Sequence, residues 1–298
     1  MIKQSLNERI GQGVFFLDGA MGTQLFAAGA VPGGCNDMLN IEAPDIVAAV
    51  HRSYFDAGSD GVITNTFGAN AISLRRHGLA EKAYAINLAG AKVARQAAGE
   101  TKYVLGDIGP CGDFLEPLGM VKEVELAAAF TGQAEGLLAG GVDGFIIETM
   151  TALEEVLVAV AAVRSVSTEL PVFASLSYDP AGHAARTMMG VSPADAVKRL
   201  ADAGITAIGF NCGTLDMPGY VGLAKDYAEA IRTTGLLLLA EPNAGRPELE
   251  EDTAVYKLSP EAFADAEAQI AAAGASILGG CCGTTPAHIA AAVKKIRK

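Results

Sequence analysis

Short runs of β-branched and aliphatic residues recur along the chain at fairly regular intervals. Each is followed by a segment with helical periodicity or an alanine-rich, helix-forming composition. Eight such runs predict strands, over residues 14–18, 61–67, 103–108, 144–148, 171–178, 207–212, 236–241 and 275–281. The segments between them predict helices over 45–57, 79–98, 123–139, 153–166, 193–203, 219–233, 260–273 and 286–296. Several of these open on proline or a capping residue, as at Pro44-Asp45, Ser192-Pro193 and Ser259-Pro260, which suits the first turn of a helix. Eight strands alternating with helices predict an α/β fold, a closed parallel (β/α)8 (TIM) barrel. A doubly wound open sheet is the alternative. It gives no reason for eight evenly spaced units, and the glycine-rich dinucleotide fingerprint of that fold is missing.

Composition narrows the picture. At 298 residues the chain is long for one domain by the usual prior, but an α/β barrel reaches this size as a single unit. No linker, low-complexity tract or charge run divides it, so one barrel domain is expected over residues 1–298. Half of the residues are hydrophobic, enough for a large core. The formal net charge of −12 argues against a nucleic-acid backbone or an anionic membrane surface as partner. The start, Met1 to Arg9, carries charge and amide groups where a signal peptide needs an apolar stretch. No apolar run approaches the ~20 residues that span a bilayer. A soluble, cytoplasmic protein follows, in a compartment where reduced thiols persist and can hold metal. The longest connection, 242–258, follows the seventh strand and is placed to cover a barrel mouth. Its acidic stretch 248–252 reads as a solvated tip.

The candidate chemistry lies in the cysteines. Of five, Cys212 ends the run Ile208-Gly209-Phe210-Asn211-Cys212-Gly213, and Cys281 with Cys282 ends Leu278-Gly279-Gly280-Cys281-Cys282-Gly283. Three thiolates at two strand ends suit a zinc ion whose fourth position stays open, the arrangement that binds and activates a substrate. Buried inert thiols or a strained vicinal disulfide would also fit the cysteines alone. The surrounding glycines favour the metal, because they clear side-chain bulk that a space-filling core would keep. Cys35 and Cys111 fall in predicted loops and read as free thiols, with Cys111 a candidate neighbour of the site.

In a parallel barrel, functional groups collect at the C-terminal ends of the strands. Those ends carry Asp18, Asn65, Asp107, Glu148, Ser175 or Ser177, Asn211, Glu241 with Asn243, and the cysteines. Carboxylates there are expensive to bury without partners. For Asp107 and Asn65 a structural role, capping a helix or holding a loop amide, is expected. Asp18 precedes Gly19-Ala20-Met21-Gly22-Thr23, a small-residue turn that opens a helix, where free amides can hold a carboxylate. Glu148 would stand opposite as a negative charge, so the two ends of an amino acid could be held. His51 and His288 fall in predicted helices and read as surface or packing residues, while His77 and His183 occupy loops. A nucleophile-elbow context is absent, so hydrolase chemistry has little support.

These segments carry a resemblance. Asp18-Gly19-Ala20-Met21-Gly22-Thr23, Thr64-Asn65-Thr66-Phe67-Gly68-Ala69-Asn70, Gly106-Asp107-Ile108-Gly109-Pro110, Gly209-Phe210-Asn211-Cys212, Glu241-Pro242-Asn243-Ala244-Gly245 and Gly279-Gly280-Cys281-Cys282-Gly283-Thr284-Thr285-Pro286 resemble the homocysteine S-methyltransferase family. Within it they look most like the homocysteine-binding modules of cobalamin-dependent methionine synthases. The resemblance implies a (β/α)8 barrel whose Cys212, Cys281 and Cys282 bind zinc. It implies that the amides of Met21 and Gly22 receive the homocysteine carboxylate, that Asp18 and Glu148 face its amino group, and that Asn243 fills the open zinc position before substrate arrives.

The implied activity is zinc-dependent methylation of homocysteine to methionine. Its methyl donor would be a methylated corrinoid, with cobalamin carried by a partner protein. The runner-up donor is a small onium compound such as S-methylmethionine. A free thiol near pKa 8.5 is mostly protonated at neutral pH, whereas zinc holds it as thiolate, so no general base is required. A thiol-redox or metal-sensing protein using Cys281 and Cys282 is the rival from another class.

Overall fold

The computed structural model describes residues 3–31, 33–250 and 253–297. Eight parallel strands form one sheet: β1 (Phe15–Phe16), β2 (Gly61–Ile63), β3 (Tyr103–Ile108), β4 (Gly144–Met150), β5 (Val172–Leu176), β6 (Ala207–Asn211), β7 (Leu237–Glu241) and β8 (Ile277–Leu278). Each pairs with its neighbours in chain order, and β8 returns to β1 through Phe15 with Ile277 and Phe16 with Leu278. The remaining seam, between β1 and β2, is drawn together by the Asp60 amide donating to the Phe16 carbonyl at 2.7 Å. The Ile63 amide also donates to the Asp18 carboxylate there, at 3.1 Å. This is the expected (β/α)8 barrel. Six of the strands are shorter than their apolar runs, because those runs end in polar and glycine residues that leave the ladder, while β3 matches its run and β4 extends two residues beyond it.

Outer helices follow the strands: α1 (Pro44–Asp56), α2 (Ala83–Ala98), α3 (Glu123–Ala139), α4 (Leu153–Val166), α5 (Pro193–Leu200), α6 (Met217–Ile231), α7 (Pro260–Ala272) and α8 (Pro286–Ile296). Ser192 and Ser259 cap α5 and α7 by accepting first-turn amides, as the sequence predicts. One core cluster fills the shell between helices and strands, and a second fills the barrel interior. The interior set alternates along the strands, with Tyr103 and Leu105, Ile146, Phe173, Ala207, Leu239 and Ile277 pointing inward. Leu6 and Ile10, from a short helix (Leu6–Ile10), close its lower end. Above this apolar layer the same period of two brings Asp107, Glu148, Ser175, Asn211 and Glu241 inward at the upper end.

Gly209 shows how tightly the barrel closes. A Cβ at this position would stand 1.7 Å from the Leu239 carbonyl oxygen of the adjacent strand. Replacing Gly209 by alanine should therefore force β6 and β7 apart, at a cost of roughly 3 kcal/mol or more. Urea unfolding measures it; a midpoint equal to that of the unmodified chain would contradict so close an approach.

Two elements were not legible in the pattern. A hairpin, Asp179–Ala181 with Ala184–Arg186, follows β5. A second, Glu248–Glu250 with Thr253–Val255, lies inside the long 242–258 connection; Glu251 and Asp252 of the expected charged tip lie outside the described residues. Among the described residues no helix is long and apolar enough to cross a membrane.

Candidate metal and substrate site

Cys212 follows the last residue of β6, and Cys281 and Cys282 follow β8 by two residues. The chain turns sharply at Cys212, which adopts the left-handed φ of 55°, and Gly213 continues at 81°. A non-glycine residue held in that region costs on the order of 1–3 kcal/mol and persists only where its surroundings impose it. Here the Tyr220 hydroxyl donates to the Cys212 carbonyl at 2.7 Å. Packing against the Tyr178 backbone leaves no room for a side chain at residue 213. The turn brings the Cys212 sulfur to 4.0 Å from that of Cys282, itself 4.0 Å from Cys281, with all three within 4.8 Å. Sulfurs 2.3 Å from a tetrahedral zinc lie about 3.8 Å apart, so the three are spaced for one ion. Contacts from Cys212 and Cys281 hold the Cys282 thiol far below its usual range, at about 3, while contacts from Cys212 and Cys282 hold the Cys281 proton on.

Asn243 belongs to the segment that backs these sulfurs. The Cys281 amide donates to the Pro242 carbonyl, and the Ala244 amide to the Cys282 carbonyl, both at 2.9 Å. Its Nδ2 donates to the Gly213 carbonyl, while its buried Oδ1 has no partner. An unpartnered buried oxygen in the segment that backs the thiols suits a polar partner supplied from that side. Tyr256, in the long connection, packs on Gly283 and reaches Cys282 with its hydroxyl. The connection thus reaches Cys282, although nothing in the sequence singled out this tyrosine.

The cysteines sit on the floor of a cavity of about 700 Å³ that also takes in Asp18, Met21, Gly22, Asp107, Glu148 and Glu241. Four of these are carboxylates: Asp18, Asp107 and Glu241 are almost completely buried, and Glu148 is partly buried. Burial raises the proton affinity of each: Glu148 is pushed up to about 7, and Asp18, Asp107 and Glu241 well above the ordinary carboxylate range. Asn211 connects the acids to the thiols. Its Nδ2 donates to Glu148 Oε2 at 2.5 Å and approaches Cys281 Sγ at 3.6 Å, and its Oδ1 accepts from Ser175 Oγ and the Thr149 amide. Thr149 is held in the left-handed region, φ 59°, where β4 slips its register. Across the cavity the short helix Met21–Ala27 begins without a side-chain cap, so its first amides are open to the space in front of them.

Two sequence expectations change. Asp107 caps no helix. Its backbone is fixed by Thr64, Thr66 and Gln133, while its carboxyl faces Glu148 and leaves Oδ1 without a partner. The inward alternation of residues 103, 105 and 107 carried that signal. Cys111 is no part of the site: it is buried beside Glu155, and burial first, then that carboxylate, pushes its thiol up to about 12. Asn65 is structural as expected, donating to the Asn36 carbonyl and to Asn40 Oδ1. His51 is packed inside and His288 caps its own helix through Thr285. His77 lines the outer cavity, and His183 is exposed on a hairpin turn.

This geometry agrees with the comparisons. The family model described as homocysteine S-methyltransferase matches residues 15–296. The chain belongs to the homocysteine S-methyltransferase family. It is 37% identical to a methionine synthase of Mycobacterium tuberculosis over 97% of its own length, and 36% identical to that of Mycobacterium leprae over 95%. It spans about a quarter of those two relatives, 25% and 24%. Among solved structures, the homocysteine methyltransferase MmuM of Escherichia coli in its oxidized form superposes with a TM-score of 0.79 at 25% identity. That match covers 99% of this chain and 98% of MmuM. A metallated form of MmuM gives 0.77 at 25% identity, over 96% and 97%. In this member of the S-methyltransferase family the cysteines that the resemblance singled out are those that converge.

Proposed function

We propose that this chain binds zinc through Cys212, Cys281 and Cys282 and methylates homocysteine to methionine. The observation that carries the reading is the convergence of three sulfurs on the floor of an acidic cavity. Zinc, when bound, holds an added thiol as its thiolate near neutral pH and so prepares a nucleophile. The chain's own residues select and orient the amino acid. Asp18 and Glu148 receive its ammonium, and the uncapped amides of Met21 and Gly22 receive its carboxylate. Asn211 fixes the Glu148 carboxylate and the Cys281 sulfur in one network, so ammonium and thiol are set a fixed distance apart. Asn243 Oδ1 would hold the open metal position until homocysteine arrives. A site built on three reduced thiols belongs in the cytoplasm.

The donor follows from electrophilicity. A methyl group on a neutral amine is a poor electrophile, so the donor is a methylated corrinoid, a sulfonium or a quaternary ammonium. We favour a methylated corrinoid presented at the barrel mouth by a partner protein, because two relatives 37% and 36% identical to this chain are methionine synthases, of which it covers about a quarter. The runner-up is a small onium compound such as S-methylmethionine. The cavity favours it: at about 700 Å³ it is the size of a drug-binding pocket, and homocysteine fills only part of it. The zinc-loaded chain is to be given homocysteine with methylcobalamin, with a methylated corrinoid protein, or with S-methylmethionine. Methionine formation is expected with a corrinoid; efficient turnover with S-methylmethionine and none with either corrinoid would reverse the choice of donor.

A further inference from the structure

We infer that Asp107 is a third carboxylate in the seat for the substrate ammonium and sets the preference for an amino-acid thiol over one lacking the amine. An ammonium presents three N–H donors. Asp18 and Glu148 supply two acceptors, but each already has an oxygen engaged. Asp18 Oδ1 accepts the Ile63 amide, and Glu148 Oε2 accepts from Asn211 and Thr149. Asp107 differs. It is 3% exposed, its Oδ1 has no hydrogen-bond partner, and its carboxyl lies against that of Glu148 on the cavity floor.

The placement is rigid. The Asp107 amide donates to Thr64 Oγ1 at 2.9 Å, and its carbonyl accepts from Thr66 Oγ1 at 2.9 Å and from Gln133 Nε2 at 3.1 Å. Thr64 and Thr66 are themselves joined at 2.6 Å. The Asp107 carboxyl meets that of Glu148 in a side-chain hydrogen bond, but its Oδ1 stays buried without a partner, which costs stability unless a ligand supplies a donor. The cations lining the cavity, Arg76 with His77 nearby, stand toward its outer part, where Arg76 Nε is held by the Ser73 carbonyl. An ammonium brought in by the substrate satisfies Asp107. Glu241, buried with both oxygens unpartnered, lies lower, against Gly279 at the level of the Asp18 backbone.

The inference rests on the homocysteine reading, and its test separates the two. Calorimetry on the zinc-loaded chain compares homocysteine with 4-mercaptobutanoate, which keeps the thiol and carboxylate and lacks the amine. The unmodified chain should bind homocysteine more tightly. Asp107→Asn should weaken homocysteine by roughly tenfold to a hundredfold, leave 4-mercaptobutanoate within about twofold, and keep its zinc. A merely structural role would weaken both thiols together, and either that result or unchanged homocysteine affinity overturns the inference. If the unmodified chain binds neither thiol, the homocysteine reading fails and takes this one with it. Should Asp107→Asn not fold, Asp107→Ser carries the same comparison.

Discussion

Replacing Cys281 with serine is expected to strip the zinc from the purified chain and to lower methionine formation by more than a hundredfold. Serine keeps the size of the side chain but its hydroxyl stays protonated near neutral pH, so it cannot replace a thiolate ligand. Even outer-shell partners of a metal contribute about 10–100-fold to affinity or activity, and a direct ligand contributes more. Cys212→Ser and Cys282→Ser should behave alike, because the three sulfurs lie within 4.8 Å of one another, close enough to share one ion. Cys35→Ser is the control. Its thiol lies beside Asp37, 3.7 Å away, in another part of the cavity wall. Zinc measured after gel filtration decides the matter: about one equivalent in the unmodified chain and in Cys35→Ser, little in the other three. Full metal content in all the variants would refute the three-thiolate site.

Glu148→Gln should weaken homocysteine roughly tenfold to a hundredfold while zinc stays in place, the effect of losing one charged hydrogen bond. The glutamine keeps the shape, so Asn211 and Thr149 retain a partner. The pH dependence sharpens the prediction. Burial pushes Glu148 up to about 7, so below that pH it is increasingly protonated and neutral. Affinity for homocysteine should fall as pH drops through 7, and the Glu148→Gln variant should lose that part of the slope, having no proton to gain. Binding titrations between pH 6 and 8 on both proteins test this. Equal slopes would move the ammonium seat away from Glu148.

The sequence by itself determined the barrel and pointed to the three cysteines that meet in it. Eight apolar runs separated by helix-forming segments require a sheet buried on both faces and wrapped by helices, and short connections leave little choice but sequential parallel pairing. The cysteines were legible because parallel topology gathers the strand ends at one end of the barrel, where residues closing two runs can meet. Six strands fall short of their runs: Asp18, Asn65 and Cys281 continue the runs in sequence, but their side chains line the cavity or bond to loops and the residues leave the ladder. Tertiary structure alone decided the rest. Asp107 turns from an expected cap into a carboxyl against Glu148, because β3 delivers it inward beside β4, and only packing shows that no helix end waits there. Tyr256 reaches Cys282 through a loop whose path has no periodicity to read. The left-handed turns at Thr149 and Cys212 are imposed by partners distant in sequence: Asn211 holds Thr149, and Tyr220 with the Tyr178 backbone holds the Cys212 turn. Local preference works against such conformations in both residues, so only the surrounding fold can select them.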